Sequence, residues 1–275
     1  MYTYIDNKDN LSYLNKELLE RHYVGIDTEF RRTTKNNMKL ALLQINDGEE
    51  IFLVDALSIN DPKDSCEFLF SDSVIKILHS CKEDLEAIYA WTNKKMQKIF
   101  DTQLANSFLD DDYSISYRSL VEKKLGIVLE KKETRSNWLR RPLSNDQLKY
   151  AALDVEYLLY LYEEQIAELS LSNKLEWHNQ DIDHLMFGIF DGSLNNLSNE
   201  RIIPRLEEEA ILNKFNSIVE KISRSEGINS TLFFSKKSQK EFLRLVLSKG
   251  FDKASQGITI WRRDLIEHHL IDLLK

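Results

Sequence analysis

The chain has 275 residues, 42% of them hydrophobic, with only three Pro and eight Gly, which excludes a low-complexity or largely disordered chain and fits one large domain plus a small one. No apolar run approaches the roughly 18–20 residues needed to cross a bilayer, and no basic region followed by an apolar stretch marks a signal peptide. Cys66 and Cys81 stand alone, without metal-type spacing, which argues against a zinc site or a disulfide framework and for a cytoplasmic protein. The net charge of −8 is unevenly spread: residues 201–275 hold 14 Lys and Arg against 10 Asp and Glu, a net of +4, leaving −12 on the first 200. An acidic catalytic domain with a mildly basic tail fits this distribution, as does an acidic cytosolic enzyme with an uneven surface.

Residues 23–30 (YVGIDTEF) read as a strand, followed by strands at 39–46 (KLALLQIN) and 50–55 (EIFLVD) joined by a turn at Asp47-Gly48. A short apolar run at 74–78 reads as a buried strand. Ser80 with Glu83 three residues on predicts a capping box opening a helix through Tyr89. A strand at 98–100 precedes a helical stretch from Asp101. The clearest helix opens at Ser144, with Gln147 completing a second capping box, and its apolar residues run through Leu148, Ala151, Ala152, Val155, Leu158, Leu159 and Tyr162 at helical spacing. The polar stretch 179–200 reads as a connection, and helices are expected at 206–224, 237–247 and 260–274. This alternation predicts an α/β domain over 1–170, a connecting segment over 171–205 and a small all-helical domain over 206–275.

Asp27 and Glu29 lie two apart in a predicted strand and therefore share a face. Two acids on one face of an otherwise apolar strand call for a cation, or for water and the neighbouring Arg31 and Arg32 at the strand end. Tyr150 and Asp154 are four apart on the clearest helix, so phenol and carboxylate point the same way; an incidental pair on an exposed face has the same spacing. Asp84 falls in the first turn of its helix, where the helix dipole favours its charge. Together these groups suffice for a two-metal arrangement, in which cations about 3.5–4 Å apart hold the attacking and leaving oxygens of a phosphoryl displacement.

These residues carry a resemblance. Asp27-Thr28-Glu29-Phe30, HSCKEDLEAI with Asp84, and YAALDVEYL with Tyr150 and Asp154 stand in the order found in ribonuclease D, within the tyrosine subgroup of the DEDD exonuclease superfamily. FDTQLANSFL from Phe100 and SYRSLVEKKLGIVLEKKETRSNWLRRPLS from Ser116 resemble ribonuclease D itself, so the likeness extends over residues 20–165. The sister subgroup has His five residues before the last Asp; here that position is Lys149. The resemblance implies a ribonuclease H-like exonuclease fold, a five-stranded mixed sheet flanked by helices. It implies two divalent ions, Mg²⁺ or Mn²⁺, with Asp27, Glu29 and Asp154 on the tightly held one, Asp27 bridging to the second and Asp84 an outer ligand. Tyr150 would orient the nucleophilic water. It further implies hydrolysis of RNA 3′ ends, precursor tRNA and other small stable RNAs, to nucleoside 5′-monophosphates. A DNA-directed 3′-5′ exonuclease and a non-catalytic RNA-binding scaffold on this fold are the alternatives. Ribonuclease D typically carries two helical HRDC-type modules; the tail here resembles the second, more divergent one. Arg31, Arg32, Lys35, Arg135 and Arg140 are candidates for the RNA path, and Lys236, Lys237, Lys240, Arg262 and Arg263 for contacts from the tail. Trp261 reads as core rather than as a base-stacking platform. A monomer with no membrane association is expected.

Overall fold

The computed structural model describes residues 2–34, 37–110, 112–129, 136–192 and 201–274. In chain order the elements are β1 (Tyr2–Ile5), α1 (Lys8–Leu19), β2 (Tyr23–Thr34), β3 (Asn37–Asn46), β4 (Ile51–Asp55), β5 (Ile75–Leu78), α2 (Lys82–Thr92), β6 (Ile99–Asp101), α3 (Thr102–Leu109), α4 (Tyr117–Leu125), α5 (Asn145–Glu156) and α6 (Leu158–Leu171). The helices α7 (Leu175–Phe190), α8 (Arg205–Glu226), α9 (Ser230–Phe234), α10 (Lys236–Lys249), α11 (Phe251–Ser255) and α12 (Ile260–Leu273) follow. Two compact units result: Met1–Gln103 with Ile115–Ala167, and Leu104–Ser114 with Glu168–Lys275. Among the described residues, no helix is long and apolar enough to cross a membrane.

The first unit is built on a mixed sheet in the order β1-β4-β3-β2-β5-β6. β2 runs antiparallel to β3, and β3 antiparallel to β4, whereas β2, β5 and β6 are mutually parallel. In β3 every residue from Leu40 to Asn46 is buried, the near-continuous apolar run of a strand covered on both faces. Helix α5 lies over β2, β3 and β4, with Ala151 against Leu42 and Leu53 in one core cluster. Gly25 faces the start of α6; a Cβ there would meet Leu158 Cβ at 3.2 Å.

Four expectations change. The sheet has six strands rather than five, because the short β1 pairs in parallel with β4 from Tyr2↔Ile51 to Ile5↔Val54. The Tyr4 hydroxyl donates to Asp55 Oδ2 at 2.7 Å, pinning this edge strand. Second, Ser80 does not cap α2: its φ is 62°, and Cys81, with no side-chain cap bond, is the N-cap residue. Asp101, at the end of β6, takes over that task by accepting from Ser80 N at 3.0 Å, Cys81 N at 2.8 Å and Gln103 N at 2.8 Å. Third, the helix expected to run unbroken past residue 156 is interrupted between α5 and α6. The Tyr157 N–H donates to the Tyr117 hydroxyl at 3.0 Å, and Asn46 Nδ2 donates to Val155 O at 3.0 Å and Glu156 O at 3.1 Å, so side chains from elsewhere satisfy the broken turn. Fourth, half of the expected connection is helix α7, whose His178 and Ile182 are buried in the second unit.

Asp101→Ala leaves two backbone N–H groups at the head of α2 without their acceptor. Charge-assisted bonds of this kind are worth about 1.5–3 kcal/mol each, so urea unfolding is expected to show a loss of about 3 kcal/mol, with Asp101→Asn losing less.

Candidate active site

β2 presents Asp27 and Glu29 on the face that α5 covers, opposite Gln44 and Leu42 of β3. The register shifts between Glu29 and Phe30; a bulge at this point bends the strand and re-aims the residues beside it. Helix α5 supplies Asp154 and Tyr150 from above. Its N-terminus is fixed by the reciprocal Ser144–Gln147 capping box, at 3.2 and 3.0 Å. Its C-terminus is held by Asn46, and the Tyr117 hydroxyl donates to Leu153 O at 3.2 Å. With both ends tied, the helix cannot slide relative to β2. One carboxylate oxygen from each of Asp27, Glu29 and Asp154 then lies within 4.8 Å of the other two.

Asp84 reaches the same region from the first turn of α2 and is 7% exposed. Thr28, which points to the opposite face of β2 from Asp27, donates from Oγ1 to Asp84 Oδ1 at 2.5 Å. Asp84 stands outside the three-carboxylate set, yet its charge acts on Asp27 and Glu29.

The cost of assembling these acids appears in their protonation. Burial, and then the charges of Asp84, Asp154 and Glu29, hold the Asp27 carboxyl well above the usual carboxylate range. Burial and the charges of Asp154 and Asp84 push Glu29 up to about 9. Burial raises Asp84 to about 7 against the bond from Thr28, and raises Asp154 to about 7 against the hydrogen bond from Tyr150 and the nearby charge of Arg118. Burial, followed by the charges of Asp154 and Glu29, also pushes the Tyr150 phenol above its ordinary value. Without a cation the cluster therefore retains protons near neutrality. Closely spaced carboxylate oxygens with raised affinity for a positive charge are the donor set a hard divalent ion takes.

Arg118, in the first turn of α4, sets its guanidinium 5.1 Å from the centroid of the Tyr150 ring. Nothing in the sequence singles it out, because the contact joins residues 32 apart. His79 is structural: Nδ1 meets Thr102 Oγ1 at 2.9 Å and Nε2 meets Ile115 O at 3.0 Å.

The residues expected along an RNA path divide. Arg31 and Arg140 are exposed. Arg32 is paired with Glu86 and, at 3.6 Å, with Glu83, both of α2. Lys35 and Arg135 lie outside the described residues. In the second unit Trp261 is core, 2% exposed, stacked on Trp177 at 4.9 Å and donating from Nε1 to Asp181 at 2.9 Å. Arg262 does not reach outward for phosphate: it forks onto Asp181 and donates to the carbonyls of Phe233 and Leu232. Lys236 bonds Asn216, Lys237 and Arg263 face Glu241 and Glu267 at 3.8 Å each, and Lys240 is exposed.

Comparison with known proteins identifies the family of the domain that carries this site. Residues 2–169 match a family model described as 3′-5′ exonuclease. Ribonuclease D of Pseudomonas paraeruginosa is 38% identical over 178 residues, covering 65% of this chain and 47% of that protein. Ribonuclease D of Escherichia coli is 36% identical over 174 residues, covering 63% and 46%. The chain thus spans about half the length of the curated relatives it matches. The crystal structure of Escherichia coli RNase D, described as an exoribonuclease involved in structured RNA processing, aligns over 100% of this chain and 74% of its own, with a TM-score of 0.66 at 25% identity. Brucella melitensis NrnC with bound Mg²⁺ shares the fold, at a TM-score of 0.58 and 20% identity over 74% of this chain and 98% of that one. The chain belongs to the 3′-5′ exonuclease family and is a homologue of ribonuclease D.

Proposed function

We propose that this protein is a metal-dependent 3′-5′ exoribonuclease of the ribonuclease D type. It trims the 3′ ends of precursor tRNA and other small structured RNAs and releases nucleoside 5′-monophosphates. The observation that carries the reading is the convergence of Asp27, Glu29 and Asp154 within 4.8 Å, with Tyr150 and Asp84 beside them. RNA as substrate is supported by the ribonuclease D relatives and by the structural match to Escherichia coli RNase D. Mg²⁺ is supported by its presence in the NrnC structure and by the all-oxygen donor set here. The first unit would act in the cytoplasm as part of a monomer, and residues 206–275 would form an HRDC-like helical domain lending salt-dependent affinity for phosphates.

In this reading Asp27, Glu29 and Asp154 would hold one divalent ion, and Asp27 and Asp84 would serve a second. Bound there, the ions supply Lewis-acid polarisation of the scissile phosphate and a lowered pKa for water. The Tyr150 phenol keeps its proton, since burial and two neighbouring carboxylates oppose its ionisation. Its role is therefore to orient the attacking water by a hydrogen bond rather than to abstract a proton. Asp154 fixes that phenol by accepting its hydrogen bond, and Arg118, 5.1 Å from the ring centroid, limits where the ring can sit.

Purified protein assayed on matched 3′-labelled RNA and DNA, with Mg²⁺ and with chelator, tests the reading. Hydrolysis of RNA from the 3′ end that chelator abolishes is expected; activity that survives chelator contradicts it, and a preference for DNA supports the DNA-directed alternative. Asp27→Ala and Asp154→Asn should remain folded and lose detectable hydrolysis, whereas Tyr150→Phe should bind RNA and metal and turn over about 100-fold more slowly. Full turnover by Tyr150→Phe would remove the phenol from the mechanism.

The raised carboxyls also set a pH dependence. Asp154 and Glu29 move from ordinary values of 3.8 and 4.5 to about 7 and about 9, so between these limits the folded chain binds more protons than the unfolded one. Their contribution to stability is full below pH 4 and is lost progressively as the pH rises from there, completely by about 7 for Asp154 and by about 9 for Glu29. Thermal unfolding in chelator should accordingly show a falling contribution from the site over this window, and Asp154→Asn should flatten it. Saturating Mg²⁺ should restore stability most at the alkaline end and release protons on binding.

A further inference from the structure

Gln44 stands directly across the β2–β3 ladder from Asp27. Residues paired this way place their side chains on one face, with Cβ atoms about 4.5–5.5 Å apart. On that face Gln44 lies between Leu42, which is opposite Glu29, and Asn46, whose amide holds the end of α5. Its side chain is completely buried, and neither Nε2 nor Oε1 has a hydrogen-bond partner. The neighbouring polar groups are committed: Asn46 to the backbone of α5, Thr28 to Asp84. The flanking β3 residues Leu42, Leu43 and Ile45 are apolar and equally buried.

An amide buried with both ends unbonded weakens a fold, and an apolar side chain of similar shape would suit a purely structural position better. Buried polar groups left unpaired in a native structure point to a task outside folding. Carboxylates that ligate a metal are themselves hydrogen-bonded by neighbouring donors, which orient them. We propose that Gln44 is the positioning residue for Asp27: its Nε2–H donates to the Asp27 carboxylate when that carboxylate ligates a divalent cation. This rests on the proposed metal-dependent function and assigns a residue to it beyond the five acidic and phenolic groups. The register supplies the reach, and the complete burial of Gln44 leaves it no competing bond to solvent.

The test uses the full chain and two variants, Gln44→Met and Gln44→Leu, so that a packing failure in one does not decide the outcome. Mn²⁺ affinity is measured by calorimetry, and the melting temperature is measured in chelator. At least one variant is expected to bind Mn²⁺ about tenfold or more weakly while melting in chelator at or above the wild-type temperature. The stabilisation that Mn²⁺ confers should shrink in step. Unchanged Mn²⁺ affinity in both variants overturns the proposal. So does a lower melting temperature in chelator for both, since that is the signature of a merely structural role. A wild-type chain that binds no Mn²⁺ refutes the metal-dependent reading itself, and this inference with it.

Discussion

Like charges resist being brought together, and the first unit holds four carboxyls, Asp27, Glu29, Asp84 and Asp154, in one partly desolvated region. Every element around them restrains that repulsion. β2 is locked between β3 and β5, so Asp27 and Glu29 cannot retreat along the strand. α5 is tied at one end by the Ser144–Gln147 box and at the other by Asn46. α2 is anchored by Asp101, and Asp84 by Thr28. The rigidity that surrounds the site is the structural counterpart of the instability within it.

The same arrangement explains a division of labour among acids. Asp27, half-buried, and Asp84, buried, are pressed by their neighbours, whereas Asp55 and Asp101 are buried but provided for. Asp55 is clasped by Arg141, through Nε at 2.6 Å and Nη2 at 2.7 Å, and by Tyr4, which hold its carboxyl below the usual range. Asp101 receives three backbone N–H groups. Acids that stabilise the fold have donors at hydrogen-bond distance; those of the candidate site mostly have one another. That contrast, more than the presence of acids, separates a prospective cation site from structural carboxylates.

The local signals in the sequence were enough to find what local periodicity governs. The alternation in YVGIDTEF and the helical spacing after Ser144 place Asp27, Glu29, Tyr150 and Asp154 on the elements where they lie. What stayed hidden depends on partners distant in sequence. Asp101 caps α2 from about twenty residues away, so Ser80 and Glu83 gave a misleading local signal. The break after Glu156 depends on Tyr117 and Asn46, and α5 and α6 otherwise read as one helix. β1 offers only four residues and is defined by its pairing with β4. The polar composition of α7 concealed a helix whose few buried positions, His178 and Ile182, set its packing. Arg262 looked like a phosphate contact because Asp181, its actual partner, lies on another helix.

Crystals of the protein soaked in Mn²⁺ and measured at the manganese absorption edge test the central claim most directly. The account predicts anomalous density ligated by Asp27, Glu29 and Asp154, which disappears in Asp154→Asn crystals. Manganese elsewhere with none at these carboxylates, under conditions in which the same protein degrades RNA from its 3′ end, would contradict it.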